Sequence, residues 1–392
     1  MRILITDGDE RSALAAARSL VAAGYDVHAA APGRLSLAGV SRRVTPRAIG
    51  ADPLADPRGY ARAVARLVRE LGIDVLLPVT DASVEALLEC RDELPPRVQL
   101  PLPDLRAYRQ ASDKAQSLEL ARSAGLDIPE SVVLVGPDSR DLPADFFPAV
   151  LKPHRSVVPA DASRAARRKV GVQYVAHPEA CRAALGALPD GAFPVLLQRQ
   201  VHGPGEGLFL LRWNGRMIAA FAHRRLREKP PEGGVSVYRE SIAVPPQLLA
   251  GGTKLLKLLD WQGVAMVECK REIKTGRHVF MEVNGRLWGS LQLAVDAGVD
   301  FPTLLVACAL GRSVPAVNTY REGVRSRWLW GDIDHLYLRL RNGGRTSGKL
   351  AAALNFLRVH PSRDREEIWR WRDPGPFLIE SLRRLPFTGG IK

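Results

Sequence analysis

Two short segments, MVECK (266–270) and FMEVNGR (280–286), carry the residue types that could do chemistry. At the period of two that a β-strand imposes, Glu268 faces one side of the first. Glu282, Asn284 and Arg286 share one side of the second. Two carboxylates and an amide oxygen are hard donors, suited to Mg²⁺ or Mn²⁺, which take a few carboxylates and leave positions for water and phosphate. Arg286 would face the same phosphate oxygens. Taken alone, the four are equally a solvated sheet face. Lys152 changes that balance: it follows the apolar run AVL and precedes Pro153, so a long cation projects from the end of a buried strand. Lys114, two residues after a candidate N-cap at Ser112, projects another from a first helical turn. Either can meet phosphate as a point charge, and either alone would be an ordinary snorkelling lysine. Their order along the chain sets them apart.

The elements that must position these residues follow from hydrophobic periodicity. RILIT (2–6), an Ala-rich helix near 11–23 and YDVHAAA (25–31) form a βαβ unit; a helix over 58–71, the strand DVLLPVT (74–80) and a helix near 82–90 continue it. The alternation predicts a doubly wound parallel sheet. Its first turn, TDGDERS, lacks G-x-G-x-x-G, which argues against a dinucleotide site. SDKAQSLELARSAGLDIP (112–129) reads as a capped amphipathic helix stopped at Gly125. FPAVLKPH (147–154) and PVLLQRQVHG (194–203) read as strands of a small α+β lobe, with a helix around 177–188 between them. GLFLLRWNG and RMIAAFAHRR then predict a hairpin turned at Asn214-Gly215. A helix over 246–260 precedes two antiparallel strands joined through Lys274-Thr275-Gly276.

The set resembles the ATP-grasp superfamily, in particular the branch of carbamoyl-phosphate synthetase and biotin carboxylase with its relatives among amino acid ligases. The likeness covers residues 1 to about 310. SDK (112–114) and VLKP (150–153) resemble its two lysine-bearing segments, and Glu268 with Glu282-x-Asn284-x-Arg286 its metal and phosphate signature. LLQRQVHGPGEG (196–207) is similar to its interlobe segment. The resemblance implies adenine contacts from main-chain groups of Arg199 and Val201, Gln198 in place of the usual carboxylate, and Glu206 on the ribose hydroxyls. It implies a pre-ATP-grasp α/β domain over 1–110, a lid lobe over 111–202 and an antiparallel lobe with the metal site over 203–318. A basic extension, 319–392, has no assigned role.

The resemblance further implies a ligase that uses ATP and Mg²⁺ to convert a carboxylate to an acyl phosphate, which an amine, an amino acid among the candidates, then attacks. Lys114 and Lys152 would hold phosphates, and Arg286, His223 and Arg225 would act on the transferring group. The Gly285, Gly289 and Ser290 backbone would seat an anionic substrate, and Trp288 is either a pocket wall or core. One departure stands out. The phosphate-covering loop is normally Gly-rich, yet 155–172 reads RSVVPADASRAARRKVGV with Gly171 alone. Either Arg164, Arg167, Arg168 and Lys169 replace backbone donors, or the loop covers the nucleotide only with substrate present. A kinase, a bicarbonate-activating enzyme and a non-catalytic nucleotide-binding regulator are the alternatives.

Composition bounds the rest. The chain has 392 residues, 46% hydrophobic and 25% charged, the profile of a globular α/β protein long enough for two or three cores. Its net charge of +14 comes from Arg scattered over every segment, a weak signal for nucleic acid and a better one for small anions. Cys90, Cys181, Cys269 and Cys308 form no disulfide or zinc pattern. MRILITDGDE lacks the regions of a signal peptide. LAVDAGVDFPTLLVACALG carries Asp296 and Asp300, so no membrane span is expected. The reading is a cytoplasmic enzyme, compatible with a homodimer.

Overall fold

The computed structural model describes residues 1–384 apart from 140, 141, 143, 161–165, 318, 343–345, 359, 361 and 362. The N-terminal sheet is parallel, in the order Val44–Ala48, Asp26–Ala31, Arg2–Ile5, Val75–Leu77. Its near-continuous apolar strands are buried between helices, as parallel sheets require. The edge strand Val44–Ala48 escaped the sequence reading because Pro46 and Arg47 break its apolar run, and an edge is where a strand proline is tolerated.

A second sheet holds Ser131–Leu134, Val195–Arg199, Ala149–Pro153 and Gln173–Val175, paired antiparallel. Leu151, Cys181, Leu185, Val195 and Leu197 give it a core of its own. A third sheet has seven strands in the order His278–Asn284, Gly263–Arg271, Gly205–Trp213, Arg216–Lys229, Val235–Ile242, Arg325–Arg327, Asp364–Glu366. The hairpin within it turns at Asn214 and Gly215, whose φ of 48° and 77° suit a tight connection.

Packing differs from the sequence reading in two places. Helix Lys114–Ser123 lies not with the second sheet but in the core under the seven-stranded one, where Leu118 and Ala121 share a cluster with Leu208, Leu255 and Val267. Its N-cap is not Ser112, which ends the preceding helix Leu105–Ser112, but Asp113, whose carboxylate accepts from the N–H groups of Ala115 and Gln116. The basic extension is no free tail: Arg325–Arg327 pairs with Val235–Ile242, and Asp364–Glu366 pairs with Arg325–Arg327. The largest core joins helix Arg11–Ala22 to Phe209, Trp288, Phe301 and Ile368, so the N-terminal layer and the seven-stranded sheet are one packed body. No helix among the described residues is long and apolar enough to cross a membrane; Leu291–Ala297 and Phe301–Ala309 meet at a 93° bend.

Candidate active site

Strand alternation and one irregularity build the site. Glu268 lies directly opposite Glu282, and Met266 opposite Asn284. Between Glu268 and Cys269 the register shifts, leaving Met281 without a partner. Such a bulge re-aims a side chain, and Met281 lines the same cavity as Glu282. This cavity, about 380 Å³, opens between the second and third sheets and is lined by Lys114, Lys152, Gln198, Arg199, Val201, His223, Arg225, Glu268, Glu282, Asn284 and Arg286. Eleven residues singled out in sequence therefore meet in one place. Glu206 does not. On its strand the cavity face belongs to Gly205, where a Cβ would fall 2.7 Å from Arg225 Cδ. Glu206 alternates to the opposite face, is 2% exposed, and its Oε2 lies 2.8 Å from His278 Nε2. The expectation that it meets a ribose is not met by this placement.

The electrostatics are tightly coupled. Burial pushes Lys152 down to about 8, opposed by Glu282 and reinforced by Lys114. Burial would raise Glu282, but Lys114, Lys152 and the Asn284 amide, donating to Glu282 Oε1 at 3.1 Å, hold it below the usual carboxylate range. Burial and Glu282 push Glu268 up, against the opposing pull of Arg225. Arg225 Nη2 lies 2.6 Å from Glu268 Oε2, and its Nη1 donates to Glu228 Oε1 at 2.9 Å. His223 is 1% exposed, and burial with Arg225 and Arg239 nearby holds it well below its ordinary value, as neutral imidazole. Arg286 reaches Asp81 Oδ2 at 3.0 Å, which ties the third sheet to the N-terminal helix Asp81–Glu89.

At the adenine end, Gln198 is 2% exposed with its Nε2 unpartnered. Arg199 gives its N–H to Glu130 and its side chain to Glu130 and Asp145, so only its carbonyl could address a base. Val150, Val201 and Met281 supply apolar walls there. Trp288 is both core and wall: it packs 4.4 Å from Phe209 and 5.0 Å from Phe301, centroid to centroid, and lines the cavity.

The described part of the Gly-poor segment is tied to the N-terminal layer. Val157–Pro159 and Arg167–Lys169 pair as a small hairpin. Arg167 binds Glu89 and lies 3.7 Å from Glu85, both on helix Asp81–Glu89, while Arg168 and Lys169 are exposed. Arg164 lies outside the described residues. Sequence reasoning missed Arg11, Tyr174, Ser236 and Lys270, all of which line the cavity. Lys270 was within reach, two residues beyond Glu268 on the same face. Arg11 was too, because it follows the carboxyl end of the first parallel strand, where open α/β sheets bind ligands. Tyr174 and Ser236 carry no local signal.

Whether the residues suit a divalent cation turns on their donors. Among the described residues no group of three or more His, Cys, Asp and Glu is placed to hold a metal ion. Glu268, Glu282 and the Asn284 carbonyl oxygen instead form an open set that leaves positions for water and phosphate, as Mg²⁺ prefers. The set fits, with Arg225 as the competitor for Glu268.

Residues 194–331 match the family model described as ATP-grasp in the biosynthetic pathway with Ter operon. No curated protein matches the chain in sequence. Among solved structures, it is similar to biotin carboxylase from Campylobacter jejuni in a β,γ-ATP complex (15% identity, 82% of this chain and 74% of that one, TM-score 0.61). It is also similar to L-amino acid ligase from Bacillus licheniformis (15%, 80% and 75%, TM-score 0.58). N5-carboxyaminoimidazole ribonucleotide synthetase from Thermus thermophilus is a third (18%, 83% and 81%, TM-score 0.59). The matched segment is thus similar to an ATP-grasp family model, and the chain shares the ATP-grasp fold of these structures.

Proposed function

We propose that this protein is an ATP-dependent carboxylate–amine ligase working through an acyl phosphate. The observation that supports this reading is the convergence of Lys114, Lys152, Glu268, Glu282, Asn284, Arg286, His223 and Arg225 on one cavity. A carboxylate is a poor electrophile, and phosphorylation makes it one. Phosphoryl transfer then needs alignment and charge neutralisation rather than a protein nucleophile. Lys114 and Lys152 hold phosphate oxygens, and Arg286, fixed by Asp81, stabilises first the transferring phosphoryl and then the tetrahedral adduct. Glu268, Glu282 and Asn284 would hold Mg²⁺, which when bound neutralises phosphate charge. His223, held neutral by burial and the nearby arginines, would meet the transferring group as a hydrogen-bonding imidazole rather than as a cation or a strong base.

A kinase acting on a hydroxyl would use a carboxylate base. The candidate, Glu228, is engaged by Arg225, which disfavours that reading. The test is ADP release with pooled carboxylic acids and hydroxylamine as general nucleophile, followed by mass spectrometry. Use of ¹⁸O-labelled carboxylate separates the routes: an acyl phosphate delivers one labelled oxygen to phosphate. Product formed with all label retained in the carboxylate-derived group would overturn the proposal.

A further inference from the structure

The cavity continues past the phosphate-facing residues to a wall of Arg11, from the start of the first helix, and Trp288 to Ser290, from the end of the signature segment; Glu367 of the extension backs Arg11 from behind. We infer that one of the two substrates carries, besides its reacting group, an oxyanion that Arg11 binds at this far end. The inference rests on the ligase reading above and extends it to substrate class.

Donors without partners carry this inference. Arg11 Nη1 reaches Glu367 Oε2 at 2.8 Å, and Arg239, 0% exposed, binds the same carboxylate. Two guanidinium groups share the Glu367 carboxylate, which cannot saturate the donors of both. Arg239 is enclosed and also donates to the Ser236 carbonyl, whereas Arg11 faces the cavity. The other arginines of the cavity each hold carboxylates of their own: Arg286 holds Asp81, Arg225 holds Glu268 and Glu228, and Arg199 holds Glu130 and Asp145. Two further carboxylates lie near the pair and are engaged elsewhere: Glu380 accepts from Trp328 Nε1 at 2.8 Å, and Glu366 from the N–H groups of Leu329 and Trp369.

The geometry of Arg11 is fixed for recognition. Its Cζ stands 4.1 Å from the Trp328 ring centroid, so ring and carboxylate together hold the planar fork. Nη2 has no hydrogen-bond partner among the described residues and lies across Gly289, where a Cβ would fall 3.1 Å from it. Trp288 Nε1 and Ser236 Oγ are also buried and unpartnered, and both residues line the same cavity. Donors without acceptors on a buried wall call for a ligand rich in acceptor oxygens. A carboxylate or a phosphate meets that description equally, on either the acyl donor or the amine.

The experiment compares wild type with Arg11→Gln, using each oxyanion-bearing substrate against its carboxamide or dephosphorylated analogue. One arm pairs acids with hydroxylamine, which carries no oxyanion; the other supplies amines. Wild type should prefer the charged member by about tenfold or more in kcat/KM, as for a charge-assisted contact. Arg11→Gln should lose that preference while KM for ATP changes by less than about twofold. Loss in the hydroxylamine arm puts the oxyanion on the acid; loss only with amines puts it on the nucleophile. If Arg11→Gln does not fold, Gly289→Ala crowds Nη2 without touching the Glu367 pair and should weaken the same preference. A preference unchanged in the variants, or no preference in wild type, overturns the inference. Absence of ADP release with any acid and hydroxylamine refutes the ligase reading instead. The Arg11 site is then read by malonate, with Mg-ADP present, in a thermal shift: stabilisation of wild type alone supports it, and equal shifts overturn it.

Discussion

Lys152 gives the cavity a pH signature that can be worked out in advance. Its ammonium is buried, with Glu282, Lys114, Glu268 and Lys270 as the charged groups acting on it, and loses its proton at about 8. A bound phosphate restores the charged form, moving the group back toward its ordinary ~10.4. Since the nucleotide-free value is the lower one, affinity is full below that value and declines as pH rises through it. At pH 9 only about one-tenth of Lys152 is charged without nucleotide and nearly all with it, so binding takes up ~0.9 proton; at pH 7 uptake is ~0.1. The dissociation constant for Mg-ADP should therefore rise about tenfold between pH 7 and 9, or ~1.4 kcal/mol. Calorimetric titrations in buffers of different ionisation enthalpy measure both quantities. Lys152→Arg, charged throughout, should abolish the uptake. A flat dissociation constant across that range, or the same uptake in Lys152→Arg, would refute the assignment of Lys152 to phosphate.

Glu282→Gln removes a carboxylate from the cation set; turnover should fall by at least about a hundredfold, with nucleotide binding weakened much less, measured by steady-state rates and by titration. Wild-type rates in excess chelator would contradict it. Arg286→Lys keeps charge but loses the planar fork, so product formation should drop by about two orders of magnitude at nearly unchanged ATP affinity; a proportional loss of both would show a binding role alone. Glu367→Ala leaves Arg11 and Arg239 facing each other without their shared carboxylate, a loss of ~3–5 kcal/mol in urea unfolding, and a change under ~1 kcal/mol would mean that water compensates the pair.

What could be read in the sequence was whatever depends on local spacing. The carboxylates, amide and arginine of the signature lie at period two, and both lysines end apolar or helix-start patterns, so their convergence follows once the strands pair. Glu206 failed because a one-residue offset turns a strand side chain to the other face, and the Gly-rich approach to it hides the phase. That Met281 lines the cavity could not be read from one strand, because a bulge is a property of two. Ser112 and Asp113 are adjacent capping residues, and only the end of the preceding helix decides between them. Arg11 and Glu367 stand at opposite ends of the chain, and no periodicity links positions that distant.

The strands Arg325–Arg327 and Asp364–Glu366 have a consequence for how the molecule can be cut or fused. Arg325–Arg327 covers Val235–Ile242, which pairs directly with the strand bearing His223 and Arg225, and Asp364–Glu366 in turn covers Arg325–Arg327. A fragment ending near residue 318 would leave the backbone of Val235–Ile242 bare, an invitation to pair with neighbouring chains. It would also strand Arg239 in the interior without its carboxylate. The segment matched by the family is therefore not a detachable module, and a shortened version intended for crystallisation or fusion should keep residues through at least Ile368.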